Sequence, residues 1–530
     1  MKTAIINGFI VDGSGEKGYC GNILIDRGRI EKIGSFVPYA EKIIDAHGCV
    51  VCPGFIDTHS HSDLKILEHP YNAPKLLQGV TTEILGQDGI SMAPLPEEYI
   101  DDWRKNLSGL DGESDKIDWH YKTTKGYLDY IERSRTCSNV AYLVPHGNIR
   151  MEAMGCDNRA PSKDELERMK EITRREMESG AIGLSTGLIY IPCAYSATEE
   201  IIELCRVVAE YDGIFVVHQR SEADLILQSM DEILRVGRES GVRVHFSHFK
   251  ACGKGTWGLI PQIIQKLDSA KKEGISLSFD QYPYVAGSTL LSVILPPWVQ
   301  SGGTEKMLER IKDEKTVEKI ILEVESGSCG WDNFIDFAGY GGIYITYTGS
   351  EKNSALVGKS LEEIGRLWNM HPMKAACRLL CEEENAVSMV DFYGKEEHIK
   401  LFLSREEQNV CTDGLLSGTP HPRVYGSFPR VFRKYVREES LLTLETAVCK
   451  MTSKAASAMG ITDRGRLEVG YCADIVIFDK DKISDRGTYS NPAVFPDGIK
   501  LVMVNGETVF DGKNRYNNPK GEVLRRGVKL

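Results

Sequence analysis

Histidines with the spacing of metal ligands stand at the end of a predicted strand in this 530-residue chain. His59 and His61 form an H-x-H pair directly after an apolar run that ends at Asp57. In extended backbone, side chains two residues apart point to the same side, so the two imidazoles face the same way. Two imidazoles on one side can bind a metal ion together.

Three further ligand-type residues occupy equivalent places. His218 ends the fifth predicted strand, His248 ends the sixth, and Asp413 follows the eighth. The chain contains only 12 histidines, so random placement would rarely set five ligand-type residues at the same end of four strands. We therefore predict one metal site formed by His59, His61, His218, His248 and Asp413.

The elements that must position these residues alternate between short apolar runs and helical stretches. Residues 161–179, for example, place Leu166, Met169, Ile172 and Met177 at roughly helical spacing. Eight βα units over about 400 residues predict an α/β fold of the (β/α)₈ TIM type, in which catalytic groups lie at the carboxyl ends of the strands. The predicted strands end near Asp57, Gly86, Val144, Ser185, Val217, Ser247, Phe279 and Cys411.

The two ends of the chain differ from its middle. Apolar residues alternate with period two in residues 4–46 and again in 473–506, which is typical of short antiparallel strands. We predict a small β-sandwich domain built from residues 1–52 and 459–530, and a barrel over 53–458. The gap between Phe279 and Asn409 is too long for one helical crossover, which predicts an inserted subdomain at about 298–401.

Composition excludes several classes of protein. The net charge is −12 and the pI is near 5.6, so no basic footprint for nucleic acid is present. No apolar run approaches the ~18 residues that a membrane span needs. Most of the 14 cysteines stand singly among apolar neighbours, and no leader peptide precedes them, which predicts reduced thiols in the cytoplasm. The sequence leaves the oligomeric state open, and a homo-oligomer is one of the alternatives.

Eight motifs spread over most of the chain match one family pattern: residues 53–61 (PGFIDTHSH), 79–82 (GVTT), 180–190 (GAIGLSTGLIY), 247–250 (SHFK), 282–284 (YPY), 412–414 (TDG), 421–423 (HPR) and 463–466 (DRGR). In these motifs the chain resembles the N-acyl-D-amino-acid deacylase (D-aminoacylase) family of the metal-dependent amidohydrolase superfamily. The resemblance is weakest from about Trp298 to Leu401.

The resemblance implies zinc-dependent hydrolysis of the amide bond of an N-acyl-D-amino acid to a carboxylate and a free D-amino acid. It implies that Asp413 takes a proton from the attacking water and passes it to the leaving nitrogen. Tyr190, Lys250 and Tyr282 match positions that the family uses to bind the substrate carboxylate, and Arg423 offers a further bidentate donor.

One residue departs from the family pattern. The family carries a metal-ligating cysteine in a Gly-Asn-Cys-Gly sequence, and here that place reads Gly86-Gln87-Asp88-Gly89. We predict that Asp88 is a metal ligand, whose hard oxygen tolerates manganese, cobalt or iron(II) better than sulfur does. Alternatively, Asp88 orients a histidine. The number of bound metal ions, one or two, is left open.

Residues 285–291 contain no arginine or lysine, so we expect a D-amino acid with an apolar side chain unless the insertion supplies a cation. A second hypothesis is a cyclic-amide hydrolase of the hydantoinase or dihydroorotase type, which shares the barrel. Those enzymes bridge two metals through a carboxylated lysine after the fourth strand, and residues 184–187 contain none. A third hypothesis is a non-catalytic scaffold with the same fold. It is disfavoured because the chain retains the four histidines and Asp413.

Overall fold

Eight parallel strands in the middle of the chain form a nearly closed barrel with helices, which confirms the predicted fold class. The computed structural model describes residues 2–112, 114–327 and 330–526. Each barrel strand pairs with the next one along the chain. Numbered one to eight, the strands are Phe55–Asp57, Val80–Leu85, Asn139–Pro145, Gly183–Gly187, Ile214–His218, Arg243–Phe246, Leu277–Gln281 and Gln408–Val410.

A shorter pair of strands links the loops that follow the first and eighth barrel strands. Ser60–His61 runs parallel to Gly414–Leu415 and pairs with it residue by residue. The backbone N–H of Asp413 donates to the carbonyl of His59 at 2.9 Å. This pairing fixes Asp413 beside the H-x-H pair, at the carboxyl end of the barrel.

The helix Lys163–Glu178 shows how the sequence sets the helical layer. It begins with a capping box, in which the Ser162 hydroxyl accepts from the N–H of Glu165 and the Glu165 carboxylate accepts from the N–H of Ser162. Met169 and Ile172 are buried on its apolar side.

No helix in the described ranges is long and apolar enough to cross a membrane. The α-helices there are Lys65–Glu68, Ala73–Leu76, Ile100–Asp111, Thr124–Ser134, His146–Met154, Lys163–Glu178, Thr198–Glu210, Ile226–Ser240, Ile260–Lys272, Thr304–Ile311, Glu314–Glu325, Phe334–Ala338, Leu361–Leu367, Pro372–Glu382, Glu396–Leu403, Arg423–Arg430, Leu444–Met451 and Ser453–Met459, and Val431–Glu438 is a π-helix.

Strands from both ends of the chain share one eight-stranded sheet. Val50–Pro53 pairs parallel with Thr3–Ile10 and antiparallel with Ile475–Phe478, which joins the two ends. Ile475 belongs to an apolar cluster on one face, and Val476 packs on the other face among barrel residues. The division at residues 52 and 459 stays a prediction. The strand order is Glu507–Phe510, Ile499–Val504, Ile475–Phe478, Val50–Pro53, Thr3–Ile10, Tyr19–Asp26 and Arg29–Gly34, with Lys42–Asp45 beside Thr3–Ile10.

The long connection between the seventh and eighth barrel strands contains a three-stranded antiparallel sheet. Val387–Phe392 is its central strand, with Ala286–Leu290 on one side and Ile343–Thr348 on the other. The helix Phe334–Ala338 packs against the central strand. The first strand of this sheet precedes residue 298, so the sheet reaches beyond the predicted bounds of the insertion, about 298–401.

A buried ion pair lies where the terminal sheet meets the barrel. Arg464 pairs with Asp474 and with Glu522, each at 2.5 Å, and donates to the side chain of Asn505 at 2.6 Å. Asn139, on the third barrel strand, donates to the same Asp474 carboxylate at 3.0 Å. Removing one partner of a buried ion pair leaves a buried charge uncompensated, at a cost of about 3–5 kcal/mol.

Replacing Arg464 by methionine should therefore lower the free energy of unfolding by about 3 kcal/mol, because Asp474 loses its cation. Urea unfolding followed by circular dichroism measures the change. Arg466→Met is the matched control, since Arg466 is partly exposed and lies 3.7 Å from Glu468. Its effect should stay below about 0.5 kcal/mol. Equal unfolding midpoints for the two variants would contradict a stabilising role for Arg464.

Candidate metal centre and active site

The predicted ligands after the first and eighth strands meet in one buried cluster. The Nε2 atoms of His59 and His61 are 3.2 Å apart. Oδ1 of Asp413 lies 3.7 Å from Nε2 of His59 and 3.4 Å from Nε2 of His61. All three residues are buried, and together they form a group that can hold a metal ion.

Asp88 joins this cluster from the loop after the second strand. Its Oδ2 lies 3.6 Å from Nε2 of His59 and 3.5 Å from Nε2 of His61, and its Oδ1 lies 3.7 Å from Nε2 of His248. Within the described ranges, Oδ1 of Asp88 is buried and has no hydrogen-bond partner. A carboxylate that only orients a histidine would accept from the ring nitrogen facing away from the metal. The position of Asp88 therefore suits direct ligation.

His218 and His248 form a neighbouring group with a residue that sequence analysis missed. Nδ1 of His218 is 2.9 Å from Nε2 of His248. The Glu222 carboxylate lies 3.7 Å from Nε2 of His218 and 3.3 Å from Nδ1 of His248. These three residues can also hold a metal ion, and His248 belongs to a third such group with His59 and Asp88. The signal available in the sequence was a carboxylate four residues after a strand-end histidine.

Three ligand candidates have left-handed backbone. The φ angles are 55° at Asp88, 33° at His248 and 46° at Asp413. Residues other than glycine adopt such angles uncommonly, although Asp and His do so more often than most, and strained residues of this kind cluster at active sites. The turn that presents Asp88 also requires Gly86, where a Cβ would lie 2.2 Å from the carbonyl oxygen of Leu143.

The donor atoms fit a divalent transition metal. Nitrogen and oxygen ligands bind zinc at about 2.0–2.2 Å in a tetrahedron, which sets neighbouring ligand atoms about 3.3–3.6 Å apart. The contacts of His59 and His61 with each other and with the two carboxylates span 3.2–3.7 Å. Buried carboxylates are costly unless a cation compensates them. The residues present therefore fit a bound cation.

The electrostatics of the cluster lead to the same conclusion. Burial lowers the pKa of His61, but its contacts with Asp413 and Asp88 outweigh burial and raise the pKa to about 10. Burial raises the pKa of Asp413, but Arg423 and His248 outweigh it and hold that pKa well below its ordinary value. Asp413 is therefore ionised at neutral pH, and the negative charge of the carboxylates favours a cation bound at the cluster.

Two cations predicted to bind substrate lie beside the ligand candidates. Nη1 of Arg423 is 2.9 Å from Oδ2 of Asp413. Nζ of Lys250 is 2.7 Å from Oε2 of Glu222. Each cation thus already pairs with a carboxylate of the site, and this pairing orients that carboxylate.

The predicted tyrosines border the same cavity. The Arg423 guanidinium lies 4.4 Å from the ring centroid of Tyr282, and the Lys250 ammonium lies 5.8 Å from it. The hydroxyl of Tyr282 is 2.5 Å from that of Tyr393. Tyr190 also lines the cavity. The structure therefore brings all four predicted substrate-binding residues together with the ligand candidates.

The long connection after the seventh strand closes one side of this cavity. From residues 298–401 the lining residues are Asp332, Phe334, Phe337, Asp391 and Tyr393, which we call the insertion wall. Sequence analysis did not identify them, because none of them follows directly on a barrel strand.

Comparisons with known proteins found a matching family model and relatives of similar length. The amidohydrolase family model matches residues 42–272 and 410–510, on either side of the long connection. An N-acyl-D-glutamate deacylase from Alcaligenes xylosoxydans xylosoxydans is 34% identical over 533 residues, which cover 100% of this chain and 98% of that protein. A D-aminoacylase from the same organism is 32% identical over 98% of this chain and 97% of that protein.

A solved structure is similar over the same length. It is the crystal structure of N-acyl-D-glutamate deacylase from Bordetella bronchiseptica, complexed with zinc and a phosphonate inhibitor that mimics the tetrahedral intermediate. It has a TM-score of 0.84 and 32% sequence identity, and the match covers 99% of both chains. The chain therefore belongs to the amidohydrolase family, and within it to the N-acyl-D-amino-acid deacylases (D-aminoacylases).

Proposed function

We propose that this protein hydrolyses the amide bond of N-acyl-D-amino acids to a carboxylate and a free D-amino acid. The observation that carries the proposal is the placement of Asp413. One of its oxygens faces the two imidazoles of the H-x-H pair, and the other is held by Arg423. The relatives named for deacylation of D-amino acids support this substrate class.

The proposed cofactor is zinc, as one or two ions. Zinc is present in the related crystal structure, and the oxygen of Asp88 in place of sulfur also admits manganese, cobalt or iron(II). When bound, such an ion polarises the scissile carbonyl and lowers the pKa of water toward about 7. The ligands that we propose are His59, His61, Asp88, His218, His248 and Asp413, and Glu222 is an additional candidate.

Asp413 is the proposed general base and acid. It accepts a proton from the attacking water and donates it to the leaving nitrogen, because an amide anion is a very poor leaving group. Arg423 holds Oδ2 of Asp413 at 2.9 Å, which leaves Oδ1 to face the reacting atoms. Proton transfer by a positioned group contributes about 10²–10⁴-fold to the rate.

Arg423 offers the donor for the substrate carboxylate. Its Nε is buried and has no hydrogen-bond partner within the described ranges. Lys250 instead donates to Glu222 at 2.8 Å and to His248 at 2.6 Å, which supports a role in holding those two side chains. Tyr190 and Tyr282 complete the proposed carboxylate site.

The cavity supports apolar contact with the substrate side chain. Leu110, Phe334 and Phe337 line it, and no lysine or arginine from the described part of residues 298–401 does so. An acidic side chain, as in N-acyl-D-glutamate, would lack a cation from this side. We therefore keep the prediction of an apolar side chain over an acidic one.

Cytoplasmic location is also a proposal. The 13 cysteines in the described ranges are all free, and many of them are buried. Unpaired cysteines in this number are typical of a reducing compartment.

A stereochemical screen tests the proposed function. The purified protein, loaded with zinc, cobalt or manganese, is assayed with N-acetyl-D-amino acids and with their L-enantiomers. Release of free amino acid from the D-series with at least one metal is expected. Turnover confined to the L-series, or confined to cyclic amides, would contradict the proposal.

Replacing Asp413 by asparagine should reduce kcat by about 10²–10⁴-fold, because the amide cannot accept the proton. Steady-state kinetics measures the loss, and elemental analysis should show that metal remains bound. Asp101→Asn, at an exposed position, is the matched control and should keep the parental rate. A variant at Asp413 with parental kcat would refute the proton-transfer role.

Variants of Asp88 test the metal ligands. Asp88→Ala should lower the metal content of the purified protein, because a ligand of the cluster is lost. Asp88→Cys should bind metal but shift its preference toward zinc over manganese, because sulfur is the softer ligand. Elemental analysis after equilibration with equal concentrations of the two metals measures both effects. Unchanged content in the alanine variant would show that Asp88 only orients a neighbour.

A further inference from the structure

Asp391 is a buried carboxylate of the insertion wall that neither the proposed chemistry nor the proposed carboxylate site uses. It is 2% exposed. Within the described ranges, its Oδ2 has no hydrogen-bond partner. An ionised carboxylate only accepts hydrogen bonds, and burying it without a donor is costly. A ligand in the cavity can therefore supply the hydrogen-bond donor that Asp391 lacks.

The strand geometry directs this carboxylate into the active-site cavity. Asp391 lies on the central strand Val387–Phe392, where neighbouring side chains point to opposite faces. Phe392 lines a different cavity on the far face, whereas Asp391 lines the cavity of the metal cluster. Across the sheet stands Gly287, where a Cβ would lie 3.0 Å from Oδ1 of Asp391. Gly287 lines the same cavity, and its missing side chain leaves space beside the carboxylate there.

Among the residues that the structure describes, no cation makes an ion pair with this carboxylate. The neighbouring cations Lys250 and Arg423 make their short ion pairs with Glu222 and Asp413. Burial raises the pKa of Asp391 to about 7, although Lys250 and Arg423 act to lower it. The negative charge of Asp391 is thus undercompensated, and a cation in the cavity would stabilise it.

The other acid of the insertion wall is not available in this way. Asp332 accepts from the hydroxyl of Ser221 at 2.6 Å and from the backbone N–H of Glu222 at 2.7 Å, so both of its oxygens are occupied. Asp332 therefore positions the loop that carries Glu222.

We propose that Asp391 pairs with a positively charged group of the substrate, an ammonium or a guanidinium. The inference rests on the proposed deacylase function and specifies its substrate class. Two sources supply this chemistry: the side chain of the D-amino acid, whose aliphatic stem would contact Phe334 and Phe337, or an amino group on the acyl portion. A charge-assisted hydrogen bond of this kind contributes roughly tenfold to a hundredfold to binding.

Two matched substrate pairs separate the two sources, assayed at pH 7 with the metal-loaded protein. N-acetyl-D-lysine is compared with N-acetyl-D-norleucine, which lacks only the side-chain ammonium. Glycyl-D-norleucine is compared with N-acetyl-D-norleucine, which lacks the amino group on the acyl portion. We expect kcat/KM to be at least about tenfold higher for the charged member of one pair.

The variant Asp391→Asn should reduce that charged-to-neutral ratio of kcat/KM by about tenfold or more. Asp336→Asn is the matched control, because it removes the same charge from an exposed position on the helix Phe334–Ala338, and it should keep the ratio. Turnover without preference in either pair, or a ratio that survives Asp391→Asn, would overturn this inference alone. No turnover of any of the three substrates would also overturn this inference, and the stereochemical screen decides separately whether the proposed function fails.

Discussion

Two carboxylates, those of Asp88 and Asp413, lie buried beside imidazole nitrogens in a space with little access to water. Such an arrangement is unfavourable unless a cation compensates the charge, and the rest of the active site is arranged around this constraint. Arg423 compensates one oxygen of Asp413, and the oxygens that face the histidines remain for a metal ion. The cluster is therefore costly to bury, and it is also the place where the proposed chemistry occurs.

A buried polar network beneath the cluster holds the first and eighth strands in register. Nζ of Lys75 lies 2.6 Å from Oδ2 of Asp57, and the backbone N–H of Thr412 donates to Oδ1 of the same carboxylate at 2.8 Å. Asp57 precedes the H-x-H pair by two residues, and Thr412 directly precedes Asp413. The network thus couples the position of the base to that of two ligands, through groups that never reach the substrate.

The sequence predicted the site residues where the barrel geometry determines which parts of the chain come together. Strand ends could be located from apolar runs, and the carboxyl ends of parallel strands meet, so His59, His218, His248 and Asp413 could be expected together. Glu222 was missed because it lies within a loop, where spacing alone does not determine direction. Asp391 was missed because its approach to the site depends on how the inserted sheet packs, and no period-two pattern reveals a neighbour in another layer.

Anomalous diffraction at the zinc edge, on crystals of the zinc-loaded protein, would show whether the buried cluster binds the metal. We predict an anomalous peak about 2.0–2.2 Å from Nε2 of His59 or His61 and from an oxygen of Asp88 or Asp413. A second peak, if present, should lie beside His218 and His248. A fully loaded crystal with no peak at the cluster, or with zinc bound only elsewhere, would show that these residues do not form the metal centre.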